Sequence, residues 1–378
     1  MSCRGNMRHL ASMKRIVVKV GTSSITHANG QIHVHKLDML IRQLSDLANA
    51  GKEVVLVSSG AVAAGMKSLG FSERPAQLAD KQAAAAVGQG MLMHMYEKLF
   101  REYGLTVGQV LLTKGDYLHP RHYLYARNTL VRLLELGAVP IVNENDTVST
   151  EEIKIGDNDT LSAMVASIVD ADVLVLLSDV DGLYTGNPMT DPEAVLRPMV
   201  DELTPEIWAS AQGSGTVLGT GGMYTKLVAA DIAMNSGVDM IIANAATPKV
   251  LLKIFAAETI GTRFVAHNVH PQMWKRRLLF GADMCGQIRV DAGCRDALMQ
   301  HGASILPVGI VEVEGEFVQG DGISVYYENR EIARGMAGFD STELRRIRGR
   351  KSEEIADILG YVPADTVAVH RDHLVVKQ

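Results

Sequence analysis

Cysteine is scarce in this chain. Three residues in 378, Cys3, Cys285 and Cys294, make neither an even framework nor a CxxC pair. That excludes a disulfide scaffold, argues against a structural zinc and fits a reducing, cytoplasmic setting. Positive charge is not in excess: 37 Lys and Arg stand against 43 Asp and Glu, a formal net charge of −6. A dominant nucleic-acid-binding surface is therefore not implied. No apolar run approaches the ~18 residues needed to cross a bilayer. The 12 histidines show no HExxH or other paired ligand spacing, so no protein-held metal site is expected. Residues 1–13 carry Arg4 and Arg8 but no apolar centre, which excludes a signal peptide. They read as a disordered leader or a cloning remnant, with Met13 as a natural start.

What the chain does have is alternation. The length suits two or three domains. Ile16–Val20 reads as a strand, followed by helical spacing through Leu37, Leu40, Ile41, Leu44 and Leu47, with Gly51 closing that helix. Further strands are expected at Val54–Val57, Thr106–Leu112, Val139–Val142, Asp172–Leu177 and Met240–Ala243. Helices are expected from about Ala61, over Lys81–Tyr103 and His119–Leu136, around Leu161–Ile168, and over Met223–Ser236. Such βαβ repetition predicts an α/β fold, a mostly parallel sheet sandwiched between helices. After about residue 270 the texture changes. Short apolar runs at Gln287–Val290, Gly309–Val313 and Ile323–Tyr327 sit between Gly-rich turns, which predicts a small β-rich domain. The expected division is 14–268, a linker at 269–284, and 285–378.

Three polar turns follow apolar strands: Lys19-Val20-Gly21-Thr22-Ser23, Ser58-Ser59-Gly60 and Asn143-Glu144-Asn145-Asp146. In an open α/β sheet, ligands collect outside the carboxyl ends of the strands. Each turn alone has two readings. Lys19 is a snorkelling edge lysine, or it reaches a phosphate that Gly21 lets the backbone approach. Ser58-Ser59-Gly60 holds a plain N-cap serine or an anion at a helix start. The Asn143–Asp146 run is an Asx-rich turn, or it is a site for an ammonium and a carboxylate. Lys154-Ile155-Gly156-Asp157-Asn158-Asp159 precedes a helix, so capping explains either aspartate singly but not both together with Asn158. Gly219-Thr220-Gly221-Gly222-Met223-Tyr224-Thr225-Lys226 is neither a Walker A loop nor GxGxxG. Its lysine opposes the dipole of the helix it opens, a misfit offset if an anion sits at the helix start, so the run is a phosphate site or a simple flexible loop. Met91, Met93 and Met95 read as core or interface filling. Arg345-Arg346-Ile347-Arg348-Gly349-Arg350-Lys351 is a local basic run, a solvated face or an RNA contact.

In series, VVKVGTSS, VSSGAVAAG, VNENDTVS, IKIGDNDTLSA, LLSDVDGLYTGNP and GTGGMYTK resemble the amino acid kinase family. Their order and spacing are similar to the branch that phosphorylates the γ-carboxylate of L-glutamate with ATP, the first step of proline biosynthesis. The tail, with GQIRVDAGCRDALMQHGASILPVGI and REIARG, resembles a PUA domain. The resemblance implies that Lys19 and Lys226 contact the transferring phosphoryl group, with Asp159 between them. It implies that Gly21 and Gly60 offer backbone N–H groups to phosphate oxygens, and that Ser59, Gly60, Asn143, Asp146 and Asn158 surround glutamate. It places Ser178, Asp179 and the loop of Thr220, Gly221, Gly222, Met223, Tyr224, Thr225 and Lys226 around the nucleotide. Ser178 departs mildly from a position often held by threonine. The resemblance further implies Mg²⁺ carried mainly by ATP, feedback by proline near Thr147–Gly156, dimers or tetramers, and a reductase that takes the product. Three rivals are a sister kinase acting on another carboxylate or phosphate acceptor, an RNA-binding or RNA-modifying protein using the tail, and a nucleotide-binding sensor without turnover, against which both lysines and Asp159 argue. From Trp274 onward the chain has 14 basic and 16 acidic residues, so the tail carries no net basic footprint.

Overall fold

Strand β1 (Arg15–Val20) shows why the sheet lies where it does. Its side chains alternate in direction. Ile16, Val18 and Val20 enter one apolar core with Leu37, Ile41 and Leu44, while Lys19 is turned to the opposite face. The computed structural model describes residues 10–27, 31–149, 158–188, 190–212, 222–267, 284–363 and 365–377. The chain divides into two units; Gly115–Tyr125 groups with the C-terminal one. A Cβ placed on Gly320 would come within 2.8 Å of Arg121 Cγ. The expected linker at 269–284 lies almost wholly outside the described residues. Of the leader expected over residues 1–13, residues 1–9 lie outside the described residues. Leu10 and Met13 are buried in the first core, and Lys52 Nζ donates to the Met13 carbonyl at 2.6 Å, so residues 10–13 are part of the fold.

The remaining strands of the first unit are β2 (Glu53–Val57), β3 (Val107–Leu112), β4 (Val139–Glu144), β5 (Val173–Ser178), β6 (Met199–Val200), β7 (Asp239–Asn244) and β8 (Thr262–Phe264). Their order is β3-β4-β2-β1-β5-β7-β8-β6. All pairings are parallel except β7 with β8. From β1 the chain passes to β2 on one side, and from β4 it returns to β5 on the other. The crevice at the carboxyl ends of β1 and β5 is thus the topological switch point. Helices α1 (Val34–Asn49), α2 (Ala61–Met66), α3 (Leu78–Arg101), α4 (Asn158–Ile168), α5 (Met223–Asn235) and α6 (Val250–Phe255) cover the sheet. Leu37 and Leu44 of α1, Leu92 and Tyr96 of α3 and Leu251 of α6 share the core on the Val18 face. Helices α4 and α5 pack together.

Gly51, at φ 88°, closes α1 in the left-handed conformation the sequence predicts. Helix α3 starts at Leu78, ahead of the predicted Lys81. Strands β6 and β8 escape sequence reading because two and three residues are too few to show a period. Helices α2 and α3 touch backbone to backbone. A Cβ on Gly65 would fall 2.7 Å from the Gly88 nitrogen, and one on Gly88 would fall 2.6 Å from the Gly65 nitrogen.

The second unit is a five-stranded sheet ordered β10-β9-β11-β12-β13. Its strands are β9 (Gly286–Val290), β10 (Ile310–Gly315), β11 (Gly322–Tyr327), β12 (Arg330–Met336) and β13 (Leu374–Val376). Only β11 with β9 pairs in parallel. Glu331 ties three elements of it. Burial alone would raise its carboxyl, but hydrogen bonds from Arg334, Lys377 and Ser324 more than offset this and hold it at about 2. A carboxylate depressed in the folded state stabilises above its ordinary pKa, and that contribution is lost as pH falls toward the folded value. The loss therefore spans about pH 4.5 down to 2. A carboxyl-carbon NMR titration of Glu331 is expected to show a midpoint near the lower figure. A midpoint at or above the ordinary value would refute the network.

Candidate active site

Three charged side chains from distant parts of the sequence meet on the face of the sheet away from Val18. Lys19 lies near the end of β1, Asp159 in the first turn of α4, and Lys226 in the first turn of α5. Lys19 Nζ stands 2.5 Å from Asp159 Oδ1 and Lys226 Nζ stands 3.1 Å from Asp159 Oδ2. The side chains are 7 %, 6 % and 1 % exposed, respectively, for Lys19, Lys226 and Asp159. Two ammonium groups this close repel one another, and a carboxylate between them fixes both. The sum of the three is one net positive charge at the switch point. This excludes the snorkelling reading of Lys19, because β1 is central and the lysine is buried. It also excludes capping as the role of Asp159, because both of its oxygens are turned to lysines. Thr225 Oγ1 approaches the same carboxylate at 3.4 Å while donating to the Gly222 carbonyl at 2.8 Å.

Beside this triad lies a chain of amides. Asn143, at the end of β4, accepts the Glu144 backbone N–H on Oδ1 at 2.9 Å. A backbone N–H can only donate, so the orientation of the Asn143 amide is determined. Its Nδ2 then donates to Gln89 Oε1 at 2.8 Å. Asn158 Nδ2 reaches the Ser58 carbonyl at 2.6 Å, Ser59 Oγ at 2.9 Å and Asn143 Oδ1 at 2.9 Å. Two hydrogens serve three acceptors, so one is shared. The plain N-cap reading of the serines does not hold. Gly60, left-handed at φ 89°, occupies the cap of α2, and no side chain caps that helix. Glycine is the residue that adopts this conformation without strain. Asp146 is half-buried in the turn after β4.

Gly21 follows β1, and a Cβ there would sit 3.7 Å from Lys19 Nζ. A side chain at 21 would therefore crowd the space in front of that ammonium. At the end of β5, Ser178 Oγ donates to Asp179 Oδ1 at 3.0 Å. Both residues also line a cleft of about 540 Å³ that opens on the Val20 and Leu177 side, toward Ser23, Lys36 and Lys249. Of the predicted nucleotide loop, Gly222, Met223, Tyr224, Thr225 and Lys226 are described; Thr220 and Gly221 lie outside the described residues. Gly222 is the N-cap of α5 and Tyr224 packs edge-on to Trp208 at 5.6 Å between centroids. Among the described residues, no group of three or more His, Cys, Asp or Glu is arranged to hold a metal.

Sequence reasoning missed Gln89 and Tyr96. Both lie on the buried stripe of α3 with Ala85, Leu92 and Phe100. A glutamine on such a stripe must find a polar partner, and that was the available signal. In the second unit, Arg345 pairs with Glu316 at 3.0 Å and Arg346 donates to the Ile358 carbonyl. Part of the basic run is thus engaged within the unit itself.

Comparison with known proteins gives the family. A model of the amino acid kinase family matches residues 14–244, and a model of the PUA domain matches residues 286–359. Glutamate 5-kinase of Moorella thermoacetica is 50 % identical over 368 residues, covering 97 % of each chain. The glutamate 5-kinase of Caldanaerobacter subterraneus subsp. tengcongensis is 48 % identical over 363 residues, 96 % of this chain and 97 % of its own. That of Deinococcus radiodurans is 45 % identical over 364 residues, 96 % of this chain and 99 % of its own. An α/β sheet with two buried lysines converging at its switch point, followed by a PUA domain, thus comes with full-length similarity to enzymes of one kind: the chain belongs to the amino acid kinase family.

Proposed function

We propose that this protein is a cytoplasmic glutamate 5-kinase, which transfers the γ-phosphoryl group of ATP to the γ-carboxylate of L-glutamate and so opens proline biosynthesis. The observation that carries the reading is the single carboxylate of Asp159 gripping two buried ammonium groups beside an amide-lined pocket. A side-chain carboxylate has a reference pKa near ~4.3 and is already ionised at neutral pH. It needs no general base. The obstacle is the approach of one anion to another, so catalysis rests on positioning and charge compensation. A carboxylate oxygen attacks the γ-phosphorus, the bond to the β–γ bridging oxygen breaks, and ADP leaves with that electron pair. The product is an acyl phosphate.

In this reading Lys19 and Lys226 neutralise the phosphoryl oxygens, and Gly21 and Gly60 let the backbone come close. The amide of Asn158 has both hydrogens committed, so its Oδ1 is the atom it offers to the substrate ammonium. Ser59, Asn143 and Asp146 complete the acceptor pocket. ATP extends over Ser178, Asp179 and the loop from Thr220 to Lys226. Both oxygens of Asp159 are engaged by lysines. By the family resemblance, Mg²⁺ would come mainly with the nucleotide and would supply further positive charge there. Proline inhibition at a site overlapping the acceptor pocket, self-association and a following reductase join the proposal through the family resemblance. The stretch expected to respond to proline, Thr147–Gly156, lies outside the described residues from 150 onward.

The test is ATP consumption by the full chain with glutamate, the acyl phosphate being trapped by hydroxylamine, with a panel of other amino acids beside it. Glutamate is expected to give the hydroxamate, and proline to suppress it. Turnover with another acceptor alone would assign a sister activity. Asp146→Ala is expected to raise the KM for glutamate about tenfold or more, roughly a single lost charge-assisted hydrogen bond, with the KM for ATP within twofold. The opposite pattern would mean the two pockets are exchanged.

A further inference from the structure

The acceptor pocket does not stand by itself. Its turns are carried by β2, β4 and α4; those of β2 and β4 are tied directly to one helix that contributes no predicted substrate residue, and Asn158 of α4 joins them through Ser58, Ser59 and Asn143. Gln89 and Tyr96 of α3 are seven positions apart, which places them on one face of the helix, two turns from each other. Gln89 accepts from Asn143 Nδ2 at 2.8 Å and Tyr96 meets Ser58 Oγ at 2.7 Å. Ser58 also directs its hydroxyl toward the Ser59 carbonyl at 3.3 Å. Tyr96 is therefore the donor of the Tyr96–Ser58 bond. Its burial pushes the phenol up to about 12, the opposing pull of Ser58 being smaller, so the donor hydrogen stays in place at any working pH.

The direction of every link follows from the backbone groups at its ends. The Glu144 N–H fixes Asn143, Asn143 fixes Gln89, and the Ser58 carbonyl fixes Asn158. Were Gln89 to lose its oxygen, Asn143 would have a buried amide N–H without an acceptor, and the cheapest remedy is rotation of the Asn143 side chain. Rotation would withdraw Oδ1 from Asn158 and turn the amide that faces the acceptor. The close approach of Gly65 and Gly88 seats α3 against α2, the helix that follows Ser58, Ser59 and Gly60.

We infer that Gln89 and Tyr96 are positioning residues for the phosphoryl acceptor, with α3 acting as the clamp that holds Ser58, Ser59, Asn143 and Asn158 in register. The inference rests on the reading of that pocket as the acceptor site. It predicts a selective effect. Removing either polar group should loosen the acceptor side and leave the nucleotide side, on β5 and α5, as it was.

The experiment compares Gln89→Met, Tyr96→Phe and the control Phe100→Leu, buried on the same face of α3, in steady-state kinetics and thermal unfolding of the full chain. The KM for the acceptor is expected to rise about tenfold or more for Gln89→Met and about fivefold for Tyr96→Phe, the range a lost buried hydrogen bond gives. The KM for ATP should stay within twofold. Phe100→Leu should lower Tm without moving either KM. Pairing Tyr96→Phe with Ser58→Ala should give an acceptor KM no more than twofold above the worse single variant, because both remove one bond. Acceptor KM values within twofold of wild type in both polar variants would overturn the inference. So would equal rises in both KM values that track the loss of Tm as in the control. The wild-type panel decides separately whether glutamate is the acceptor. Should another amino acid be preferred, the same KM comparison is made with it, so the two ideas fail independently.

Discussion

Lys19→Met and Lys226→Met are each expected to lower kcat by about two to three orders of magnitude, with smaller changes in the KM for glutamate. The estimate is about 3 kcal/mol per lost donor, the effect of removing one preorganised group aimed at developing charge. Methionine keeps the length and most of the volume of lysine, so the change is one of charge rather than packing. The two ammonium groups share one counter-ion, at 2.5 and 3.1 Å. Their effects should therefore not add: the double variant should be little slower than either single one. Single-turnover measurements of acyl phosphate formation would separate chemistry from product release. A rate within threefold of wild type in either single variant would remove that lysine from the reaction.

Asp159→Asn is expected to damage the fold as well as the reaction. The carboxylate is 1 % exposed and neutralises two lysines that are themselves buried. An amide in its place accepts from one ammonium and points its own NH₂ at the other. Breaking a buried ion pair from one side destabilises by about 3–5 kcal/mol because the remaining charge is uncompensated. Urea unfolding of the full chain would measure this. The triple variant Lys19→Met, Asp159→Leu, Lys226→Met should recover much of the lost stability while remaining inactive, since apolar replacements remove the desolvation problem with the charges. Unfolding free energy of Asp159→Asn within about 1 kcal/mol of wild type would contradict the burial argument.

Those expectations also mark how far the chain could be read before its fold was seen. The central strands were legible because Val-rich runs covered on both faces are long and end in glycine or polar turns. Lys19 stood out as a lysine inside such a run. Asp159 was harder, because an acid in a first helical turn is ordinary and capping accounts for it. Its two partners lie 140 and 67 positions away, distances over which no local period carries information. Only the return of the chain from β4 to β5 brings Lys19 under α4. The resemblance named Lys19, Asp159 and Lys226 together; the geometry gives the physical reason. Gln89 stayed hidden among alanines and glycines that resemble ordinary helix packing. The short strands β6 and β8 stayed hidden for want of length. The second unit was legible as β-rich, but β12 was not read as a strand because Arg330, Glu331 and Arg334 interrupt its apolar pattern, and β13 is only three residues long.

The paired glycines of α2 and α3 carry a lesson for anyone wishing to redirect this catalyst. If α3 braces the acceptor turns as inferred, choice of co-substrate depends partly on how closely two helices nestle, and not only on the turns that meet the small molecule. Grafting those turns onto a cousin whose helices sit farther apart would transplant the contacts without their scaffolding. A mutagenesis library meant to broaden the range of acceptors should therefore randomise positions along the helix together with the loops it braces.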